Sequence, residues 1–140
     1  MKKRFAFILC FLVAVCMLLI SCGHAKTAVP LWDSALYLDD VSFGSGEKTL
    51  LVEVIAEEKN IIFTLYTDAE TVGEALFEHK LIAGEKGAYG MYVKQVNGMI
   101  ADYDIDKSYW SFTKNGEPLM TGVDGEKFAS GEHYELVYMK

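Results

Sequence analysis

Asp102, Asp104 and Asp106 alternate along the chain and form its nearest approach to a cation-binding motif. A D-x-D-x-D run opens the helix–loop–helix calcium site, where carboxylate oxygens suit a hard cation. That loop also needs glycine at its sixth position and glutamate at its twelfth. Here those positions hold Lys107 and Thr113, so the run reads as an exposed acidic turn. His24, His79 and His133 show no metal-ligand spacing. Gly44-Ser45-Gly46-Glu47-Lys48 lacks the Gly-Lys-Ser/Thr half of a phosphate loop. No nucleophile elbow or paired-acid motif accompanies the serines and acids. The sequence therefore assigns no catalytic residue and no metal site, and the chain is read as not an enzyme. What remains is recognition chemistry. Tyr89, Tyr103 and Tyr109 fall near strand ends, and Tyr109 is followed by Trp110. Such rings combine apolar area with a polar tip, which favours them in binding surfaces. These four are the candidate ligand-binding residues. The strand context gives Trp110, with Phe112, a competing role in the core.

The N-terminus reads Met1-Lys2-Lys3-Arg4, then an apolar run from Phe5 to Ile20, then Ser21-Cys22-Gly23. A basic start, a short apolar stretch and small residues after it describe a signal peptide. The run falls short of the ~20 apolar residues of a spanning helix. Leu19-Ile20-Ser21-Cys22 resembles a bacterial lipobox. The resemblance implies cleavage before Cys22, lipidation of Cys22, and an extracytoplasmic protein held to the lipid membrane by its acyl anchor. The other cysteines, Cys10 and Cys16, precede that point, so the processed domain would carry no disulfide.

Acidic residues number 20 against 13 basic ones, for a net charge of −7. Loss of Lys2, Lys3 and Arg4 with the signal would deepen the imbalance. Such a surface repels nucleic acid and anionic lipid, and it suits solubility or a cationic partner.

The elements that must position the tyrosines follow from periodicity. Residues 1–21 form the signal, and 22–48 read as the lipidated cysteine and a tether containing Pro30 and Gly44-Ser45-Gly46. Within the tether, Leu31, Trp32, Leu36 and Tyr37 could dock as a short amphipathic turn. Residues 49–140 form the domain. Thr49–Ala56 and Ile61–Tyr66 alternate as a hairpin. Thr71 and Glu74 read as a capping box ahead of Val72, Ala75, Leu76 and His79 at helical spacing, and Thr67-Asp68-Ala69-Glu70 is a second possible box one turn earlier. Gly84 marks the expected exit, and Gly73 either weakens the helix or permits close approach to the sheet. Met91–Val96, Tyr109–Thr113 and His133–Met139 are further strands, separated by turn pairs such as Asn97-Gly98 and Asn115-Gly116. The expected fold is α+β and β-grasp-like: a mixed sheet of four to five strands with one helix packed on it. The long connection through the helix makes at least one parallel pair expected.

Tyr89-Gly90-Met91-Tyr92-Val93, Val96-Asn97-Gly98, Tyr109-Trp110-Ser111-Phe112, Lys114-Asn115-Gly116, Thr121-Gly122-Val123-Asp124 and Ser130-Gly131-Glu132 together resemble the transcobalamin-like C-terminal domain of bacterial surface lipoproteins. Thr71-Val72-Gly73-Glu74-Ala75-Leu76 matches as well, and the likeness spans about 49–140. It implies a β-grasp-like domain and a cobalamin-like flat ligand. In the vertebrate carriers a related domain closes over one side of the corrinoid, and a helical domain absent here holds the other. A transporter or second binding protein would then have to supply that side. The alternative is a surface protein-interaction module with no small-molecule ligand.

Overall fold

The computed structural model describes residues 29–140. The signal and the Cys22 lipidation expected from the sequence lie outside the described residues. The architecture is mixed α+β, with a six-stranded and a three-stranded sheet. This corrects the expectation of a single sheet of four to five strands.

Nine strands occur in chain order: β1 (Val41–Gly44), β2 (Lys48–Ala56), β3 (Lys59–Thr67), β4 (Ile82–Gly87), β5 (Gly90–Val96), β6 (Met99–Ile100), β7 (Tyr109–Lys114), β8 (Glu117–Pro118) and β9 (Glu132–Met139). Helix α1 (Val72–Glu78) follows β3, and the one-turn α2 (Tyr103–Asp106) precedes β7. The large sheet has the order β1-β3-β2-β9-β7-β8, and the small one β4-β5-β6. The hairpin β2–β3 and the pair β7–β9 are antiparallel. The central pair β2–β9 is parallel, as a pair joined through a helix can be. Met91–Val96 was expected in the main sheet, but tight turns preclude a crossover. Its strand pairs with its own neighbours in a meander instead.

Within the segment read as a tether, Leu31, Trp32 and Tyr37 do dock against the core, Leu36 does not, and the order extends beyond that turn. Leu31–Ser34 form a 3-10 turn, and β1 adds a parallel strand beside β3. Trp32 is buried, and its Nε1 donates to the Ala56 carbonyl at 2.9 Å. Tyr37, Phe43 and Phe63 meet edge to face with centroids 5.3–5.9 Å apart. Asn97 locks this segment down. Its side chain accepts from Tyr37 N–H at 2.9 Å and donates to Tyr37 C=O at 2.8 Å, while its own carbonyl accepts from Leu36 N–H at 2.8 Å. Aromatic area and a buried amide hydrogen-bonded through both its oxygen and its nitrogen together outweigh the flexible composition.

The core lies on one face of the large sheet. Alternation turns Leu50, Val52, Val54 and Ala56 of β2, and Ile61, Phe63 and Leu65 of β3, toward Val72, Ala75 and Leu76 of α1. The capping box forms as read: Thr71 Oγ1 accepts from Glu74 N–H at 3.2 Å, and the Glu74 carboxylate accepts from Thr71 N–H at 3.3 Å. The helix ends earlier than expected, at His79, with Lys80 in the left-handed region. Gly84 instead sits inside β4, where the ladder shifts register. Gly73 does allow close approach, but to the loop around Val123 and Asp124 rather than to the sheet. No described helix is long and apolar enough to cross a membrane.

Candidate ligand-binding surface

Three of the four sequence-selected residues are exposed, and one is not. Trp110 is only 6% exposed and meets Tyr138 edge to face at 5.5 Å. Its Nε1 finds no acceptor among the described residues. The structure places Trp110 in the core, not on a ligand-accessible surface, because alternation along β7 turns it to the face shared with Leu136.

Tyr103 and Tyr109 come together, with ring centroids 6.4 Å apart in an edge-to-face pair. They are 51% and 38% exposed. The D-x-D-x-D run explains Tyr103's position. Asp102 caps α2 by accepting from Asp104 N–H at 3.0 Å, and Asp106 accepts from Ser108 N–H at 3.1 Å. Lys140, then Ser108, holds the Asp106 carboxyl down to about 2 through hydrogen bonds. These carboxylates organise a turn. Among the described residues no group of three His, Cys, Asp or Glu side chains is placed to hold a metal ion. Tyr103 also lines a groove of about 270 Å³ with Tyr92, Lys94, Glu85, Asp102 and Asp104.

Tyr89 stands apart from that pair, at the tip of the β4–β5 hairpin, and is 93% exposed. A second exposed apolar side chain was not read from the sequence. Met120, in the loop between β8 and β9, is 97% exposed. The two segments are fastened together. Asp124 Oδ1 accepts from Met91 N–H at 2.8 Å. A Cβ on Gly122 would lie 3.5 Å from Gly90 Cα and 3.2 Å from Met91 N, so the backbones touch there. Gly90 has φ of 111°, which an L side chain rarely adopts. Tyr89 and Met120 are each within two residues of this contact. The result is two clamped loops that each expose an apolar side chain, Tyr89 and Met120, which together are called the rim. Gly87 and Gly90 around Tyr89, and Asp124-Gly125 after Met120, could have located the loops, but a lone methionine in a loop has no periodicity to reveal it.

The loop's far end is set by a polar network around Tyr134. Its hydroxyl lies 2.7 Å from Glu132 and 3.2 Å from Glu126, and Lys114 Nζ contacts Glu132 at 2.8 Å. Lys114, then Tyr134, pulls the Glu132 carboxyl down to about 2 by hydrogen bonding. Burial, reinforced by Glu132, pushes the Tyr134 phenol well above its usual range. Glu126 also accepts from Thr121 Oγ1 at 2.6 Å, which braces the residues next to Met120.

The opposite face of the large sheet is uncovered. Glu53, Ile55, Ser111, Thr113, Glu135, Val137 and Met139, with Gly116 and Pro118, line a cavity of about 300 Å³ there.

The described residues form an α+β domain whose two clamped loops leave Tyr89 and Met120 exposed. The family model for a domain of unknown function, DUF4430, matches residues 69–138, and the chain belongs to that family. A solved structure of a provisionally assigned metal-binding protein from Ruminococcus gnavus ATCC 29149 is 34% identical, with a TM-score of 0.63. That likeness covers 67% of this chain and 98% of the other. Haptocorrin, solved in complex with Cbi, is 20% identical with a TM-score of 0.52, which speaks to the fold alone. The likeness covers 70% of this chain and 26% of haptocorrin, so the chain spans about a quarter of that protein's length. Among curated proteins none matches.

Proposed function

We propose that the chain is a ligand-capturing domain of β-grasp-like type whose exposed rim takes one side of cobalamin or a related flat ligand. The observation that carries this reading is the clamped pair of loops presenting Tyr89 and Met120 almost wholly to solvent. Exposed apolar side chains gathered on adjoining loops favour a binding surface. The fold likeness to haptocorrin, a protein solved with Cbi, supports the ligand class. Leu19-Ile20-Ser21-Cys22 supports an extracytoplasmic lipoprotein held to the membrane through acylated Cys22. The reading assigns no reaction.

A rim contacts only one side of a corrinoid, so a transporter or second binding protein supplies the other wall. Affinity depends on anchors, desolvation and enclosure, and a half-clamp lacks much of the last. The full chain in detergent should therefore bind cobinamide no tighter than about micromolar, roughly −8 kcal/mol, by calorimetry. Replacing Tyr89 and Met120 together by serine should weaken binding at least about tenfold with an unchanged unfolding midpoint. Absence of heat at millimolar ligand would move the assignment to a protein-interaction module, and a nanomolar constant would refute the half-site argument.

A further inference from the structure

The uncovered face of the large sheet holds a cavity separate from the rim. None of the residues lining its cavity belongs to the Tyr89–Met120 rim. Strand register sets out its rows. Glu53 lies beside Glu135, which lies beside Thr113; Ile55 lies beside Val137, which lies beside Ser111; and Met139 lies beside Tyr109. Two carboxylates thus occupy neighbouring positions on adjacent strands, an arrangement that like charges disfavour. Their hydrogen-bond partners include neutral groups: Thr113 Oγ1 and Gly116 N–H donate to Glu135, and Asn60 Nδ2 donates to Glu53. His133 Nε2 lies 3.3 Å from Glu53.

No lysine of these strands balances the pair. Lys48, Lys59 and Lys114 have the same alternation as Leu50, Ile61 and Phe112, so they belong to the core side. Lys48 lies over Phe128, Lys59 over Trp32, and Lys114 over Tyr134. Lys140 is paired with Asp106, and Lys107 sits over Tyr103 beyond the Tyr109 end. The face is therefore an apolar, acidic-centred cradle in a chain with an excess of acidic residues.

We infer that this cradle docks a partner protein through one basic side chain, an arginine or lysine. Its aliphatic stem lies on Ile55, Val137 and Met139, and its cation lies between Glu53 and Glu135. The argument is charge complementarity in a cavity of side-chain size: about 300 Å³ lined by apolar rows around two carboxylates. Long cationic side chains combine those two features, a greasy stem and a charged head. Guanidinium adds a fork that can bridge two carboxylates.

The test titrates the full isotope-labelled chain in detergent with acetyl-arginine-amide and, separately, its neutral isostere acetyl-citrulline-amide, following amide resonances. Arginine amide should shift the Ile55, Ser111, Gly116 and Val137 amides saturably and leave Tyr89 and Met120 unmoved. Citrulline amide should bind at least tenfold more weakly. The double variant Glu53→Gln, Glu135→Gln should lose at least tenfold in arginine affinity. If that variant fails to fold, the arginine–citrulline comparison on the native chain decides. Equal response to both amides, or no saturable shift on this face, overturns the inference. Displacement of arginine amide by equimolar calcium or zinc also overturns it, in favour of a metal. Cobinamide binding at the rim is read at other residues, so either surface can fail without the other.

Discussion

Replacing Gly73 by alanine sets two effects of opposite sign against each other. Alanine is up to about 1 kcal/mol better than glycine within a helix, and less at the frayed first turn where Gly73 sits. Against this, the new Cβ would stand 3.0 Å from Asp124 Cα, Asp124 N and Val123 C. Carbon contacts are optimal at about 3.5–4.0 Å, so the loop must retreat by roughly 0.5–1 Å. All three atoms are backbone, and no rotamer change relieves them. The same retreat stretches the bond from Gly73 N–H to the Val123 carbonyl, now 2.7 Å. Overpacking of this kind costs about 1–3 kcal/mol, and a weakened hydrogen bond adds to it. Packing wins over propensity, and Gly73→Ala should destabilise by about 1–2 kcal/mol net. Denaturant unfolding of the full chain, followed by circular dichroism, reads this directly. Because the displaced loop also carries Asp124 and Met120, cobinamide affinity should fall in the same variant. A neutral or stabilising Gly73→Ala would refute the reasoning and show that the loop yields freely.

Trp110→Ala should cost about 3–5 kcal/mol, the range for a buried tryptophan. Trp110→Phe should cost far less, since losing the unpartnered Nε1–H offsets part of the lost ring; equal costs on thermal unfolding would show that the N–H is satisfied. Glu132 has a depressed folded pKa of about 2 against an ordinary value of 4.5, so its contribution is complete above pH 4.5 and lost as pH falls toward 2. Lys114→Met should flatten that part of the stability profile by on the order of 1 kcal/mol, and an unchanged profile would remove Lys114 as the cause. Asn97→Ala should cost about 2–4 kcal/mol, because it strips two hydrogen bonds from Tyr37 and forces a side chain less tolerant of φ 52°. Hydrogen exchange at Leu36 and Tyr37 would report the loss. Cys22→Ala should abolish labelling by radioactive palmitate, and retained labelling would sink the lipobox reading.

Strict alternation made β2, β3, β7 and β9 legible, and of the two boxes the sequence offered one turn apart, the structure uses Thr71–Glu74. Strand β4 was missed because, after Ile82, its residues face solvent and leave no pattern to read. Gly44-Ser45-Gly46 read as flexible, yet Gly44 pairs with Tyr66 in the ladder. The aromatic cluster around Phe43 that fastens this segment is tertiary, and periodicity cannot see it. Tyr89, Tyr103 and Tyr109 all lie in the open, as their places near strand ends suggest. Trp110 went to the core, as its alternation with Tyr109 implied. Met120 was invisible, since the Asp124–Met91 hydrogen bond that presents its loop joins residues 33 positions apart.

The parallel pairing of β2 with β9 also governs how the chain can fold. Leu50 is in register with Glu132, so the two central strands of the large sheet lie roughly 80 residues apart along the chain. Strand β7 reaches the rest of the sheet only through β9. Until β9 has been synthesised, the β2–β3 hairpin keeps an open edge and β7 has no neighbour to join it to the hairpin. The hairpin and the helix can form early, but the sheet closes last. The large sequence separation makes that closure slow, because loop entropy is lost before the contacts form. A chain truncated before Glu132 should therefore remain without its sheet rather than fold as a smaller version of it, and its exposed β2 edge would be prone to pair with other chains.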